Sequence, residues 1–184
     1  LNALWGARIS DERLGELAAE LGSDVPFFLS GGTALAEGRG ERVTPLAEVA
    51  GTWLVLVAPP MRMAEKTRSM YGALEERDFT DGSRTAAFCE SLGRGEPPGG
   101  GSLFNAFERA AFEVFAGLAT FREWLLEAGA GSVHLCGAGP ALFAVASGET
   151  EARAIRARMN RARRGERVFV ARTVTAAEAT MVWE

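Results

Sequence analysis

The 184 residues predict an α+β fold, an antiparallel sheet with helices packed on one face. Three observations carry that prediction. Trp53 to Ala58 is a continuous apolar, β-branched run stopped by Pro59-Pro60, which reads as a buried strand. Residues 132–136 and 141–147 are two further strand-like segments flanking the glycine turn Gly137-Ala138-Gly139-Pro140. Helical stretches fill the intervals, and a last strand-like segment, 168–174, closes the pattern. Strand, helices, strand, strand, helix, strand is the split β-α-β order of a ferredoxin-like unit.

The chain opens Leu1-Asn2-Ala3-Leu4-Trp5, with neither an initiator Met nor a signal-peptide pattern. Leu1, Leu4 and Trp5 have helical spacing but no capping residue before them. The opening therefore reads as the tail of a helix begun upstream, and the chain as a C-terminal fragment. Residues 10–21 predict a helix capped by Ser10 or Asp11, with Leu14, Leu17, Ala18 and Leu21 on one face and Gly22 at its end. Asp24 and Pro26 predict a short helix over 25–29, with Asp24 as its cap. Residues 33–37 and 41–44 flank Gly38-Arg39-Gly40 and predict a β-hairpin. The best boundary lies near 49–52. It divides the chain into 1–50, the remnant of an upstream domain, and 51–184, the ferredoxin-like unit.

Beyond the strand at Trp53, a helix over 64–76 turns Met63, Thr67, Met70 and Leu74 toward a core, and a second covers 81–92. The Gly/Pro-rich stretch 94–102 predicts a loop. Helices over 103–115 and 118–128 follow, with the phenylalanines from Phe104 to Phe121 packing inward. A helix over 149–163 precedes the last strand.

Composition narrows the function classes. Apolar residues make up 47% and charged ones 24%, which is globular. Twenty basic and 24 acidic residues give a formal charge of −4, which argues against a nucleic-acid partner. The longest apolar runs are about six residues, too short to span a bilayer. Two cysteines, Cys89 and Cys136, build no disulfide framework, so a reducing, cytoplasmic setting is expected. Eight arginines between Arg153 and Arg172 read as a solvated helix face opposite Ala152, Ile155 and Met159. Lys66 is the only lysine, so arginine takes nearly every basic position.

Few residues carry candidate chemistry. Asp24 either orients a substrate hydroxyl or caps the short helix behind it. The turn at Gly137 either forms an anion-binding nest of backbone N–H groups or is simply a tight hairpin turn. His134, the only histidine, lies inside a predicted strand and reads as structural. Cys136 reads as a small core residue. No metal-ligand spacing is present.

Several separate stretches resemble one superfamily. Leu21-Gly22-Ser23-Asp24-Val25-Pro26-Phe27-Phe28 and Gly31-Gly32-Thr33 through Gly38-Arg39-Gly40-Glu41-Arg42-Val43-Thr44-Pro45-Leu46 are similar to the galactokinase, homoserine kinase, mevalonate kinase and phosphomevalonate kinase (GHMP) superfamily. The resemblance is to its isoprenoid-pathway family, which acts on 4-diphosphocytidyl-2-C-methyl-D-erythritol. Thr67-Arg68-Ser69-Met70-Tyr71, Asn105-Ala106-Phe107-Glu108 and Gly137-Ala138-Gly139-Pro140-Ala141-Leu142-Phe143 resemble that family's later motifs, in order.

The resemblance implies the C-terminal end of a GHMP N-terminal domain followed by a ferredoxin-like GHMP C-terminal domain. It implies phosphorylation of a small-molecule 2-hydroxyl by ATP in the non-mevalonate isoprenoid pathway. Phosphoryl transfer brings Mg2+ with it, through ligands this sequence does not identify. Asp24 inherits the role of catalytic carboxylate. Gly137, Ala138 and Gly139 support phosphate through backbone N–H groups, and Thr67 lies near the substrate. Ala138 and Ala141 stand where the family's third glycine motif usually has a hydroxyl residue, which leaves only backbone contacts there. The family's ATP loop and catalytic lysine precede Leu4-Trp5, so these 184 residues alone are expected to be inactive. The oligomeric state stays open, a homodimer included. Two other readings compete: a homoserine- or mevalonate-type kinase, against which the hairpin sequence argues, and a non-catalytic ferredoxin-like module holding a metabolite at the Gly137 turn.

Overall fold

The computed structural model describes residues 2–49, 51–96, 98–162 and 165–179. Helices α1 (Asn2–Trp5), α2 (Asp11–Leu21) and α3 (Phe27–Ser30) lead into a two-stranded antiparallel sheet, β1 (Ala34–Glu37) with β2 (Arg42–Pro45). The chain continues through β3 (Trp53–Ala58), α4 (Lys66–Gly72), α5 (Ser83–Gly93), α6 (Glu108–Val114) and α7 (Leu118–Glu127). It ends with β4 (His134–Leu135), β5 (Leu142–Ala146), α8 (Glu149–Ala162), β6 (Arg167–Arg172) and α9 (Ala176–Ala179).

β3 to β6 form one antiparallel sheet in the order β4-β5-β3-β6. The first and third strands of this unit lie side by side at the centre, as a ferredoxin-like sheet requires. Val55 and Val57 are fully buried. Their partners Ala144, Leu142 and Val168 turn the same face inward. Ala110, Ala111, Leu118, Leu125 and Ile155 of α6, α7 and α8 cover that face. Each large side chain buried this way stabilises the fold by roughly 1.5–3 kcal/mol.

Ahead of β3, burial is sparse. Ala18 and Pro26 are buried, while Leu4, Trp5, Leu21 and Phe28 are exposed. Leu21 shares the helix face of Ala18 but is left uncovered at its end. Ser10 caps α2 as expected, accepting from the Arg13 N–H. This part is fastened to the end of the chain. Thr173 donates its hydroxyl to the Val49 carbonyl at 2.6 Å and accepts from the Thr52 N–H at 3.0 Å. Glu48 accepts from the Ala176 N–H at 3.0 Å, and α9 lies against Gly31 and Gly32.

Several elements differ from the expectation for identifiable reasons. The helix over 64–76 is confined to α4, because Glu65 adopts a left-handed φ of 48° just before it. After α4 a 3-10 turn, Glu76–Asp78, is closed by reciprocal bonds between Glu75 and Asp78. Met70 is fully buried and Met63 and Leu74 pack on the core, but Thr67 is exposed. The helix over 103–115 starts only at Glu108, since Asn105 is engaged elsewhere. Phe104 is consequently outside the helix and half-exposed, with the Arg84 guanidinium 4.8 Å from its ring centre. Phe115 and Phe121 do pack inward. The strand over 132–136 shortens to two residues and leaves Cys136 exposed, not in the core. His134 keeps a structural place, Nε2 lying 3.0 Å from the Ser132 hydroxyl.

The arginine-rich helix behaves as a solvated face. Ala152, Ile155 and Met159 are buried, Arg153 pairs with Glu149 at 2.6 Å, and Arg158 donates to the Ala128 carbonyl at the end of α7. Arg163 and Arg164 of that run lie outside the described residues, as does Leu1 of the opening helix. No helix among the described residues is long and apolar enough to cross a membrane.

Candidate active site

Asp24 sits in the turn between α2 and α3 and is exposed. The start of α3 has Pro26 in the capping position with no side-chain cap, so Asp24 does not serve as one. Among the described residues its carboxylate accepts no hydrogen bond. Both oxygens are left to an outside partner, which is what orienting a substrate hydroxyl requires. Its close neighbour is Gly40 in the β1–β2 turn. A methyl group at Gly40 would stand 3.3 Å from Asp24 Oδ1 and 3.0 Å from the Ser23 carbonyl. Gly40 has φ +116°, so glycine serves both the turn's backbone and the close approach to the acid. A groove of about 480 Å³ opens beside this segment, lined by Asp11, Leu14, Pro26, Leu29 and Val43 among others.

The second cluster is the glycine turn joining β4 to β5. Gly137 and Gly139 have φ of 55° and 71°. Gly139 is also packed: a Cβ there would stand 2.9 Å from Leu135 Cδ1 and 3.4 Å from the Phe115 ring. The turn closes on itself, the Gly139 N–H donating to the Cys136 carbonyl at 3.0 Å and the Cys136 N–H to the Ala141 carbonyl at 2.9 Å.

Two side chains from distant positions hold the carbonyls of this turn. Asn105 donates through Nδ2 to the Leu135 carbonyl at 3.1 Å and the Gly137 carbonyl at 2.8 Å. Its Oδ1 accepts from the Phe107 N–H, which fixes the amide's orientation. Lys66 donates from Nζ to the Gly139 carbonyl at 2.8 Å. The N–H groups of Gly137 and Ala138 have no acceptor among the described residues, so they remain available to an anion.

Thr67 follows Lys66 in the first turn of α4. The structure thus brings Thr67's helix to the glycine turn through Lys66. Asp24 and the glycine turn are not joined by any hydrogen bond or shared pocket among the described residues. Sequence reasoning missed Lys66, Asn105 and Gly40 as site-building residues. The signals were slight: a single lysine, an asparagine just ahead of a helix, and one glycine among several.

Behind α4, Arg109 of α6 donates from Nε to Asp78 Oδ1 at 2.7 Å and from Nη2 to Asp78 Oδ2 at 2.5 Å. Nη2 also reaches the Ala73 carbonyl just past the end of α4 at 2.8 Å. Asp78 is buried, and these bonds, with the Glu75 N–H second to them, lower its pKa to about 2. The Arg109 pKa is raised in return, chiefly by Asp78 and then by Glu113.

Residues 71–164 match the family model described as GHMP kinases C terminal. The chain belongs to the GHMP kinase family. It is 49% identical over 147 residues to 4-diphosphocytidyl-2-C-methyl-D-erythritol kinase of Dehalococcoides mccartyi, covering 78% of this chain and 50% of that protein. It is 36% identical over 174 residues to the kinase of that name from Pelotomaculum thermopropionicum, covering 94% of this chain and 59% of that one. A crystal structure of 4-(cytidine 5'-diphospho)-2C-methyl-D-erythritol kinase superposes with a TM-score of 0.72 at 35% identity, over 92% of this chain and 60% of that one. Homoserine kinase from Cytophaga hutchinsonii, at 19% identity and TM-score 0.70, shares the fold. This GHMP kinase chain spans about half the length of the first of these relatives.

Proposed function

We propose that the whole protein to which these residues belong transfers the γ-phosphoryl of ATP to the 2-hydroxyl of 4-diphosphocytidyl-2-C-methyl-D-erythritol, a step of non-mevalonate isoprenoid synthesis. The observation that carries this reading is the exposed Asp24 carboxylate, without a hydrogen-bond partner among the described residues and set against Gly40 of the Gly-Arg-Gly-Glu-Arg hairpin. Relatives matching this chain over both motifs bear that kinase's name.

In this reading Asp24 accepts a hydrogen bond from the attacking hydroxyl and aligns it, drawing off its proton as the new phosphorus–oxygen bond forms and the γ-phosphorus parts from the bridging oxygen, which leaves with ADP. The gain is mainly positional and electrostatic. Gly137, Ala138 and Gly139 offer backbone N–H groups on the phosphate side, and Thr67 lies toward the substrate. In the same reading residues 1–50 are the end of the N-terminal kinase domain, and 51–184 are the ferredoxin-like C-terminal domain. Magnesium fits as a companion of the nucleotide phosphates. Among the described residues no group of three or more His, Cys, Asp or Glu side chains that could hold a metal ion gathers.

The test is turnover of ATP by the full-length protein with the cytidyl-diphosphate substrate, alongside homoserine and mevalonate. Phosphorylation confined to the first substrate is expected. Equal or greater turnover of another acceptor overturns the reading.

A further inference from the structure

We propose that Lys66 is a positioning residue, the element that sets the glycine turn for anion contact and ties that turn to α4. The proposal rests on the kinase reading above for its consequence in catalysis, and on geometry alone for the contact itself.

A turn can offer N–H groups to an anion only if its carbonyl oxygens point away, because a carbonyl dipole facing the same anion repels it. Here the carbonyls of Leu135, Gly137 and Gly139 are held from the protein side. Asn105 takes the first two and Lys66 the third. The peptide planes are thereby fixed, and the Gly137 and Ala138 N–H groups stay free among the described residues. Lys66 does more than a neutral donor could. It forms no ion pair with any carboxylate among the described residues, so its positive charge remains next to the turn, where it favours a bound anion.

The contact spans 73 positions of sequence and originates at the first residue of α4. Thr67 and exposed Tyr71 lie on the same helix. The other end of α4 is secured by Arg109 through the Ala73 carbonyl. Lys66 thus links the first turn of α4 directly to the glycine turn. Asn105 shares the clamp, but it is neutral and reaches from the segment before α6. Among the described residues Lys66 adds both charge and the link to α4.

The experiment compares Lys66→Met, Lys66→Gln and Lys66→Arg with Arg68→Ala in the full-length protein. Arg68 is the neighbouring exposed cation, paired with Glu65 among the described residues. Two readouts are taken: steady-state kinetics, and amide hydrogen exchange at residues 136–141. Lys66→Met and Lys66→Gln are expected to lower kcat/KM for the nucleotide roughly 10- to 100-fold, the range for losing a charge-assisted hydrogen bond. Lys66→Arg is expected to recover most of that loss, and Arg68→Ala to stay within about twofold of the parent protein. Exchange of the Cys136 and Gly139 amides should accelerate in Lys66→Met and return in Lys66→Arg, with thermal unfolding little changed.

Parent-like kinetics in both Lys66→Met and Lys66→Gln overturn the proposal, as does unchanged exchange at the turn. If Lys66→Met does not fold, Lys66→Gln carries the comparison. Should the parent protein transfer no phosphoryl group, the kinase reading falls. The exchange measurement then judges the contact independently.

Discussion

Arg109 grips Asp78 along one edge of its guanidinium, Nε donating to one carboxylate oxygen and Nη2 to the other. The pair joins α6 to the turn that follows α4, and its acid is the buried charged residue of the described structure. Asp78 titrates near 2, below its ordinary 3.8. A carboxyl whose folded pKa is depressed adds stability above its unfolded pKa and loses it as pH falls through the folded one. The pair should therefore contribute fully above about pH 4 and fade toward pH 2. Thermal unfolding across that range should show a decline in Asp78-containing protein that is blunted in Asp78→Asn. At neutral pH, Asp78→Asn should already lower Tm by about 2–4 °C, because Arg109 exchanges a two-point carboxylate contact for a neutral amide while keeping Glu113.

Asp24 should separate activity from stability. Its side chain is exposed and makes no hydrogen bond among the described residues, so Asp24→Ala should leave unfolding within about 0.5 kcal/mol of the parent protein. Turnover in the full-length protein should fall by at least ~10²-fold. Denaturant unfolding and steady-state rates measured together check this, and a loss confined to stability would restore the helix-cap role.

Gly40→Ala should injure the same function from the hairpin side. The new methyl group meets the Ser23 carbonyl at 3.0 Å, which is backbone and cannot simply swing aside. The acid's turn must shift, and kcat is expected to drop tenfold or more, since misplacement of about 1 Å can cost ~10². A rate close to that of the parent protein would show that the hairpin does not set the position of Asp24.

Gly139→Ala tests the other cluster. It forces an alanine to φ +71° and places its methyl group 2.9 Å from Leu135. Strain of this kind costs of order 1–3 kcal/mol. The expected result is a stability loss in that range by denaturant unfolding, with faster amide exchange at Cys136 and Gly139.

Elements marked by strong local pattern were legible in the sequence: the apolar run of β3, the capped helix α2 and the β1–β2 hairpin around its glycines. The sheet order followed from counting elements. Those shaped by tertiary demand were not. α4 is shorter than its periodicity suggests because Glu65 turns left-handed and Asp78 is drawn to Arg109. α6 starts late because Asn105 leaves helical register to hold two carbonyls. Cys136 reads as core by composition, yet the two-residue β4 releases it to the surface. Lys66 carried no motif at all. Its meaning depends on a carbonyl 73 residues away, and no local spacing encodes such a contact.

The closing strand and α9 bear on how this protein can be handled. Thr173 and Ala176 are bonded to Val49, Thr52 and Glu48, and α9 backs Gly31 and Gly32. The tail thus works as a latch on the stretch that carries the candidate acid, although it lies far from it in sequence. Trimming the chain ahead of Thr173, or forcing a rigid fusion partner into that spot, would unfasten the hairpin from the main sheet. Tags and crystallisation truncations are better placed after α9.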